Sequence, residues 1–430
     1  MTPGARISAA IEIVEDIETR KRPASDVLKD WGLSHRFAGS KDRAAIALLV
    51  FDAARKRASS GYLMGEESPR AIVLGAMRQS ANISVAGLTA LCSGQGHAPV
   101  PLSETESRRL EAADLSGAPS FVAGDFPQWL EPSLRAVFAE NLVAEMAALA
   151  TRAPVDLRVN TLKTTREKAL SALSHLGAVA TPYSPVGVRL PLAQDGRAPL
   201  LAAEPAFVKG HVEVQDEASQ LAALLARAGP GEQVLDLCAG AGGKTLALAA
   251  LMMNKGQIHA TDRDGARLLR SRSRLERAGV RNAQLHTPGG ESSRLSGLEG
   301  RCDLVFVDAP CTGSGTWRRN PDAKWRIRQS ALGVRIAEQD LVLAEATRYV
   351  KPSGRILYAT CSVLREENED RIGAFLEARP NYKVLPPQDL AAMAGFQELQ
   401  RFTASSRHGL RLTPFASQTD GFFIAMLVPG

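Results

Sequence analysis

The segment Asp236-Leu237-Cys238-Ala239-Gly240-Ala241-Gly242-Gly243-Lys244-Thr245 constrains this chain more than any other stretch. It joins an apolar run, Val234 to Leu237, to a run of helical character, Thr245 to Met253. Glycines in such a turn let the backbone bend tightly and approach a ligand, and the following helix offers its N-terminus to negative charge. Strands and helices then alternate towards the C-terminus. Gln257 to Thr261 reads as a second strand and Arg267 to Ala278 as a second helix, with Leu304 to Val307 and Arg355 to Tyr358 as further buried strands. That rhythm predicts a doubly wound, mostly parallel α/β sheet over residues 206–430, with Gly421 to Leu427 as an edge strand.

Two ligands suit a glycine turn of this kind. A phosphate-cradling P-loop needs a glycine five residues before Gly-Lys-Thr, at position 238, which holds Cys238. The P-loop therefore fails at an essential position. A nucleoside cofactor instead calls for an acidic residue about 20 positions on, at the end of the next strand. Asp262 stands 20 residues after Gly242, directly after Thr261. The pattern alone does not separate a dinucleotide from S-adenosylmethionine.

Upstream, residues 1–128 look like a small helical bundle, with Ile46, Leu49, Val50 and Ala53 at helical spacing within Asp42 to Arg57. Residues 129–205 change character. A helical stretch, Leu134 to Thr151, precedes the short strand Val155 to Asn160, then a helix from Thr165 to Leu176 and strand-like residues near Val186 to Leu192. Helices packed on one face of a small antiparallel sheet fit that order.

The chain of 430 residues carries 52 basic and 46 acidic side chains, a surplus too mild to name a partner. Its placement says more. Residues 1–128 are balanced, 129–205 nearly so, and residues 206–430 hold 29 basic against 24 acidic side chains. Five cysteines (Cys92, Cys238, Cys302, Cys311, Cys361), without a CxxC pair or a histidine cluster, argue against a disulfide framework and against a zinc site. No metal is expected. Apolar runs fall short of the roughly 18 residues a transmembrane helix needs, and the first ten residues lack a secretory signal, so the reading is cytoplasmic with reduced thiols.

Cys311 and Cys361 each follow a predicted strand, in Asp308-Ala309-Pro310-Cys311 and Tyr358-Ala359-Thr360-Cys361. Ligands of an open α/β sheet lie beyond the carboxyl ends of its strands, the side that carries the glycine turn. Both thiols and Asp308 are thus expected beside the cofactor. Methylation of a pyrimidine at C5 needs such a set. C5 is a poor nucleophile until a thiolate adds at C6, and a carboxyl group at N3 stabilises the charge that develops. A second group then helps to remove the C5 proton or eliminate the enzyme. A thiol protease, the other use of a reactive cysteine, wants a partnered histidine, and none of the seven histidines sits in a recognisable motif. Cys92 and Cys302 read as small buried hydrophobes.

DLCAGAGGKT, DAPCTGSGTWRRNPDAKW and YATCSVLREENE resemble the cofactor and catalytic motifs of the Nol/Nop/Sun-type RNA cytosine-C5 methyltransferases. RVNTLK, Arg158 to Lys163, resembles the signature of that family's RNA-binding subdomain, and RFAGSKDRAAIALLVFDAARKR is similar to the NusB-like helical domain of its bacterial ribosomal RNA members. The resemblance implies a Rossmann-like methyltransferase domain over 206–430, preceded by an all-α NusB-like domain over 1–128 and an α+β RNA-binding subdomain over 129–205. It implies S-adenosylmethionine as cofactor, held by Cys238, Ala239, Gly240, Ala241, Gly242, Gly243, Lys244, Asp262 and Asp308. It makes Cys361 the nucleophile on C6, Cys311 the group assisting product release, and Asp308 the partner of the cytosine ring. Small-subunit ribosomal RNA is the implied substrate and a monomer the implied state. DNA cytosine methylases use only the proline-cysteine thiol, so the second cysteine favours RNA.

One departure stands out. Family members place an aspartate at the adenine amino group, whereas this chain reads Leu285-His286-Thr287-Pro288-Gly289-Gly290-Glu291. Thr287 or Glu291 is the candidate substitute. The departure keeps open an RNA-binding assembly factor without turnover, and a transfer RNA remains the alternative substrate.

For RNA contacts the resemblance points to Arg158, Asn160 and Lys163. The sequence adds Arg318, Arg319 and Lys324 around Trp317 and Trp325, where cations grip the backbone and aromatics stack a splayed base. Seven arginines between Arg263 and Arg281 form a second basic stretch.

Overall fold

The computed structural model of the chain describes residues 1–80, 83–193, 199–288, 295–403 and 406–430. It divides into two compact units, Met1–Arg152 with Thr316–Ile327, and Ala153–Gly315 with Arg328–Gly430.

The first unit is all helical. Its helices include Pro3–Arg20, Ala24–Ser34, Ser40–Arg55, Arg57–Met64 and Pro69–Ser80. Thr2 caps the first by accepting from Ala5 N at 3.2 Å, and Pro3 stands where its missing N–H costs nothing. Glu104–Ala112 opens on a reciprocal Ser103–Glu106 capping box. The apolar faces bury Ile7, Ile13, Ile46, Val50, Ile72, Leu74 and Leu88 in one core, and Cys92 lies within it.

Residues Thr316–Ile327 join this unit from far along the chain. Lys324 Nζ donates to the carbonyls of Arg55 and Asp125, and Trp325 Nε1 to that of Ala54 at 2.6 Å. Arg55 donates to the Arg318 carbonyl at 3.1 Å, and Asp322 accepts from Ala24 N.

The second unit holds two sheets. The smaller contains β1 (Val155–Val159), β2 (Val179–Ala180), β3 (Gly187–Leu190) and β4 (Val212–Val214), in the order β2-β3-β1-β4 and antiparallel throughout. Leu157, Val159, Val188, Leu190 and Val212 pack with Ala169 and Leu173 of its helical layer. The expected α+β arrangement is present.

The larger sheet takes β5 (Gln233–Asp236), β6 (Gln257–Thr261), β7 (Ala283–His286), β8 (Cys302–Asp308), β9 (Val350–Thr360), β10 (Tyr382–Val384), β11 (Leu410–Leu412) and β12 (Phe422–Pro429). Its order is β10-β12-β9-β8-β5-β6-β7, with β11 beside β12. Pairing is parallel from β7 to β9, and β12 runs antiparallel against β9. The doubly wound sheet is as expected, but β12 is not an edge strand. It lies between β9 and β10, and Phe422 to Leu427 are all buried, as in a strand covered on both faces. Among the described residues no helix is long and apolar enough to cross a membrane.

The strand order reverses at β5. Cofactor-binding crevices of doubly wound sheets open at that switch point, beyond the carboxyl ends of the central strands.

Candidate active site

The glycine turn leaves β5 and enters the helix Gly243–Leu251. Gly240 and Gly242 have φ of +55° and +80°, and a Cβ on Gly242 would lie 2.7 Å from Ser271 Cβ. Only glycine makes this bend without strain, which is why the turn brings bare backbone to the cavity. Before the turn, Asp236 is fully buried and accepts from Thr245 Oγ1 at 2.7 Å; burial pushes its carboxyl up to about 7. Asp262, just past β6, accepts from Gly240 N and Asp264 N, each at 2.8 Å. The second strand end thereby fixes the first turn.

The turn opens on a cavity of about 690 Å³, within the range of small-molecule sites. Cys238, Ala239, Gly240, Asp262, Asp308, Cys311 and Cys361 line it, with a wall of Arg335, Glu338, Leu341, Val342, Glu345 and Tyr349 from the helix Gln329–Tyr349. The backbone cradle, the Asp262 carboxylate and this volume fit a nucleoside cofactor. Burial drives the Cys238 thiol well above its ordinary range, leaving an inert side chain beside a useful backbone. Lys244 does not reach outward as a phosphate grip; its ammonium lies 2.9 Å from Asp308 Oδ2.

Parallel pairing of β8 with β9 sets Asp308 opposite Ala359, so both chains leave the sheet side by side. Cys311 Sγ and Cys361 Sγ end 3.4 Å apart as free thiols. The hydrogen bond with Cys361, and then burial, raise the Cys311 thiol well above its ordinary pKa, so Cys311 keeps its proton. The two loops are tied together behind the sulfurs: Gly315 N donates to Cys361 O at 2.9 Å, and Ser314 Oγ meets Ser362 Oγ at 2.9 Å. Glu367 also lies there, accepting from Thr312 and Ser362. Nothing in YATCSVLREENE tells which of its acidic residues turns inward; only the short turn Arg365–Glu367 does.

Several of the residues expected to touch RNA have other partners. Asn160 Nδ2 donates to the carbonyls of Gly210 and Ala278, and Lys163 Nζ to those of Lys209 and Arg277. RVNTLK thus fastens the small sheet to the helix Ser271–Ala278. Arg158 is buried beside Glu213, and burial lowers its guanidinium to about 10. Trp317 is 1% exposed and Lys324 equally enclosed, so neither a ring face nor an ammonium is open to a nucleotide there. Trp325 is partly covered and spends its N–H on Ala54, and Arg318 is buried, whereas Arg319 is partly exposed. The stacking role gives way to packing, because an indole with a nearby core is worth more buried than wet.

The other basic stretch stays at the surface. Arg263, Arg267, Arg270, Arg272 and Arg281 are exposed, whereas Arg274 and Arg277 pair with Glu213. Thr287 is partly buried next to Gly265, Pro288 lines the cavity, and Glu291 lies outside the described residues. Cys302, the first residue of β8, is buried in the core, as read.

A family model described as 16S rRNA methyltransferase RsmB/F matches residues 223–428, and one for the ferredoxin-like domain of RsmF/B-like methyltransferases matches 126–195. The ribosomal RNA small subunit methyltransferase B of Shewanella oneidensis is 32% identical over 317 residues, covering 73% of this chain and 69% of that protein. A Synechocystis protein named probable ribosomal RNA small subunit methyltransferase B is 31% identical over 306 residues, 70% of this chain and 66% of its own length. Several such matches thus span slightly under two thirds of the relative. The crystal structure of a methyltransferase homolog protein from Pyrococcus horikoshii superposes with a TM-score of 0.58 at 28% identity, covering 73% of this chain and 99% of that one. Motifs, sheet order and relatives converge, and the chain belongs to the 16S rRNA methyltransferase RsmB/F family.

Proposed function

We propose that this chain transfers a methyl group from S-adenosylmethionine to C5 of a cytosine in RNA, with small-subunit ribosomal RNA as the substrate. The observation that carries the reading is the pair of free thiols 3.4 Å apart, on a cavity shared with the glycine turn, Asp262 and Asp308. The names of the relatives support the choice of RNA.

S-adenosylmethionine would be held by the backbone of Cys238 to Gly240, where the turn lines the cavity, and by Asp262, and would supply an electrophilic methyl group; Ala241 to Lys244, also expected there, do not line it. Cys361 as thiolate adds to C6 of the cytosine, and the ring electrons move towards N3, where Asp308 meets the developing charge. C5 becomes nucleophilic and takes the methyl group as the sulfonium's S–CH3 bond breaks, leaving S-adenosylhomocysteine. The C5 proton is lost to solvent; its electrons restore the C5–C6 double bond and expel the Cys361 thiolate, and the Cys311 thiol aids that elimination by hydrogen-bonding to the departing sulfur. The target base must leave its stack to reach the sulfur.

The test combines purified protein, labelled cofactor and ribosomal RNA with Cys361→Ala and Cys311→Ala. Cys361→Ala abolishes transfer, and Cys311→Ala accumulates a covalent protein–RNA adduct. Transfer that survives Cys361→Ala rejects the mechanism. Labelling of transfer RNA alone rejects the substrate, and cofactor binding without transfer to any RNA favours an assembly factor.

A further inference from the structure

Glu367 is a fully buried carboxylate wedged behind the two thiol-bearing loops. Oε1 accepts from Thr312 N at 2.8 Å and from Gln339 Nε2 at 3.1 Å; Oε2 accepts from the hydroxyls of Thr312 and Ser362. Thr312 directly follows Cys311 and Ser362 directly follows Cys361. One side chain therefore grips the residue next to each sulfur.

Its own backbone is held as firmly. The Glu367 carbonyl accepts from Tyr358 OH at 2.7 Å, inside β9. The neighbouring Asn368 accepts from Thr360 Oγ1 at 2.6 Å and donates to Ser362 O at 2.9 Å. The turn is thus fixed to both sides of Cys361. Gln339 adds a donor to the Pro310 carbonyl at 2.9 Å, one residue before Cys311.

A purely structural plug would be cheaper as an apolar side chain, since burying a carboxylate costs several kcal/mol of desolvation unless donors converge on it. Four donors do converge here. Burial raises the Glu367 carboxyl above its usual range, while Ser362, Thr312 and Gln339 oppose that rise. A buried carboxylate so close to a thiol also disfavours a second negative charge, and it is one of the influences that hold the proton on Cys311.

We propose that Glu367 is a positioning residue of the thiol pair: through Thr312 and Ser362 it fixes the spacing of Cys311 and Cys361, and its charge keeps their roles apart. The assignment rests on the functional reading above only for what the thiols then do. Shape alone requires a residue that fills the space; this role requires the span between the two loops and the charge together.

The experiment uses the full-length chain as wild type, Glu367→Gln and Glu367→Ala. Alkylation of each cysteine by iodoacetamide is followed from pH 6 to 10 by peptide mass spectrometry, without RNA or cofactor. In Glu367→Gln the Cys311 profile moves to lower pH, with alkylation at pH 8 about fivefold faster, because a nearby negative charge is gone. In the methylation assay the same variant loses about tenfold in kcat at unchanged KM for RNA. Thermal denaturation close to wild type establishes that Glu367→Gln is folded, so it decides the matter even where Glu367→Ala is not. A Cys311 profile identical to wild type in Glu367→Gln overturns the proposal. Wild-type protein that methylates no RNA defeats the functional reading instead, and the alkylation profiles still judge Glu367.

Discussion

Lys244 Nζ and Asp308 Oδ2 lie 2.9 Å apart, joining the first turn of the helix after β5 to the end of β8. The lysine is buried and its ammonium also stands 5.2 Å over the Phe422 ring, whereas about a third of the Asp308 side chain is exposed. The carboxylate is held from behind and presented at the cavity. Removing one partner of such a pair leaves the other charge uncompensated. Lys244→Met is expected to lower kcat for methyl transfer about 100-fold, because the carboxylate proposed to meet the base loses its orientation. Steady-state kinetics with ribosomal RNA check this, and a wild-type kcat would detach Asp308 from the base.

Gly242→Ala places a methyl group against Ser271 at a backbone angle that alanine rarely adopts. A cost of about 1–3 kcal/mol in stability is expected, together with weaker cofactor binding. Denaturant unfolding and titration calorimetry with S-adenosylmethionine measure the two effects. Tight cofactor binding by the variant would move the nucleoside site away from the turn.

Asp236 gives a pH signature. Its carboxyl rises from 3.8 to about 7 on folding, mainly through burial. The native state then holds a proton that the unfolded state has lost. The corresponding stability is complete below the unfolded value and disappears as pH climbs through about 7. Asp236→Asn should flatten that decline. Urea unfolding of both proteins between pH 4 and 8 compares the slopes, and parallel curves would contradict the burial argument.

Lys324→Met leaves the carbonyls of Arg55 and Asp125 without their buried donor. It is expected to destabilise the helical unit by about 1–3 kcal/mol and to leave RNA affinity unaltered in protein that remains folded. Arg270→Glu with Arg272→Glu, at the surface, should do the reverse: stability holds, and RNA affinity falls with a shallower salt dependence. Filter binding across a salt series separates the two variants, and a loss of affinity confined to Lys324→Met would restore the nucleotide role to that loop.

The parallel sheet was legible because its strands are short apolar runs punctuated by turn residues, and the cysteines because each stands just past such a run. β12 was misplaced at the edge, since a run buried on both faces says nothing about its neighbours. Arg158, Asn160, Trp317 and Lys324 are enclosed where the sequence suggested open contacts, whereas Lys163 stays exposed. A cation or an indole has the same letter whether it faces phosphate or a buried carbonyl, and only tertiary packing decides between them. Glu367 escaped notice because a carboxylate among others in a polar segment looks solvated until the fold turns it inward.

The segment Thr316–Ile327 gives the helical unit a peculiar history. Ala24 N meets Asp322 across 298 residues, and Trp325 meets Ala54 across 271. The N-terminal block leaves the ribosome first, yet Trp317 and Lys324, which complete its interior, emerge only after most of the chain has been made. Contacts of such long sequence separation form slowly, so this block is expected to finish folding late in synthesis. A gene cut after residue 152 would therefore yield two mismatched halves: a helical bundle with a gap in it, and a methyltransferase sheet carrying a basic loop whose two tryptophans have lost their packing partners.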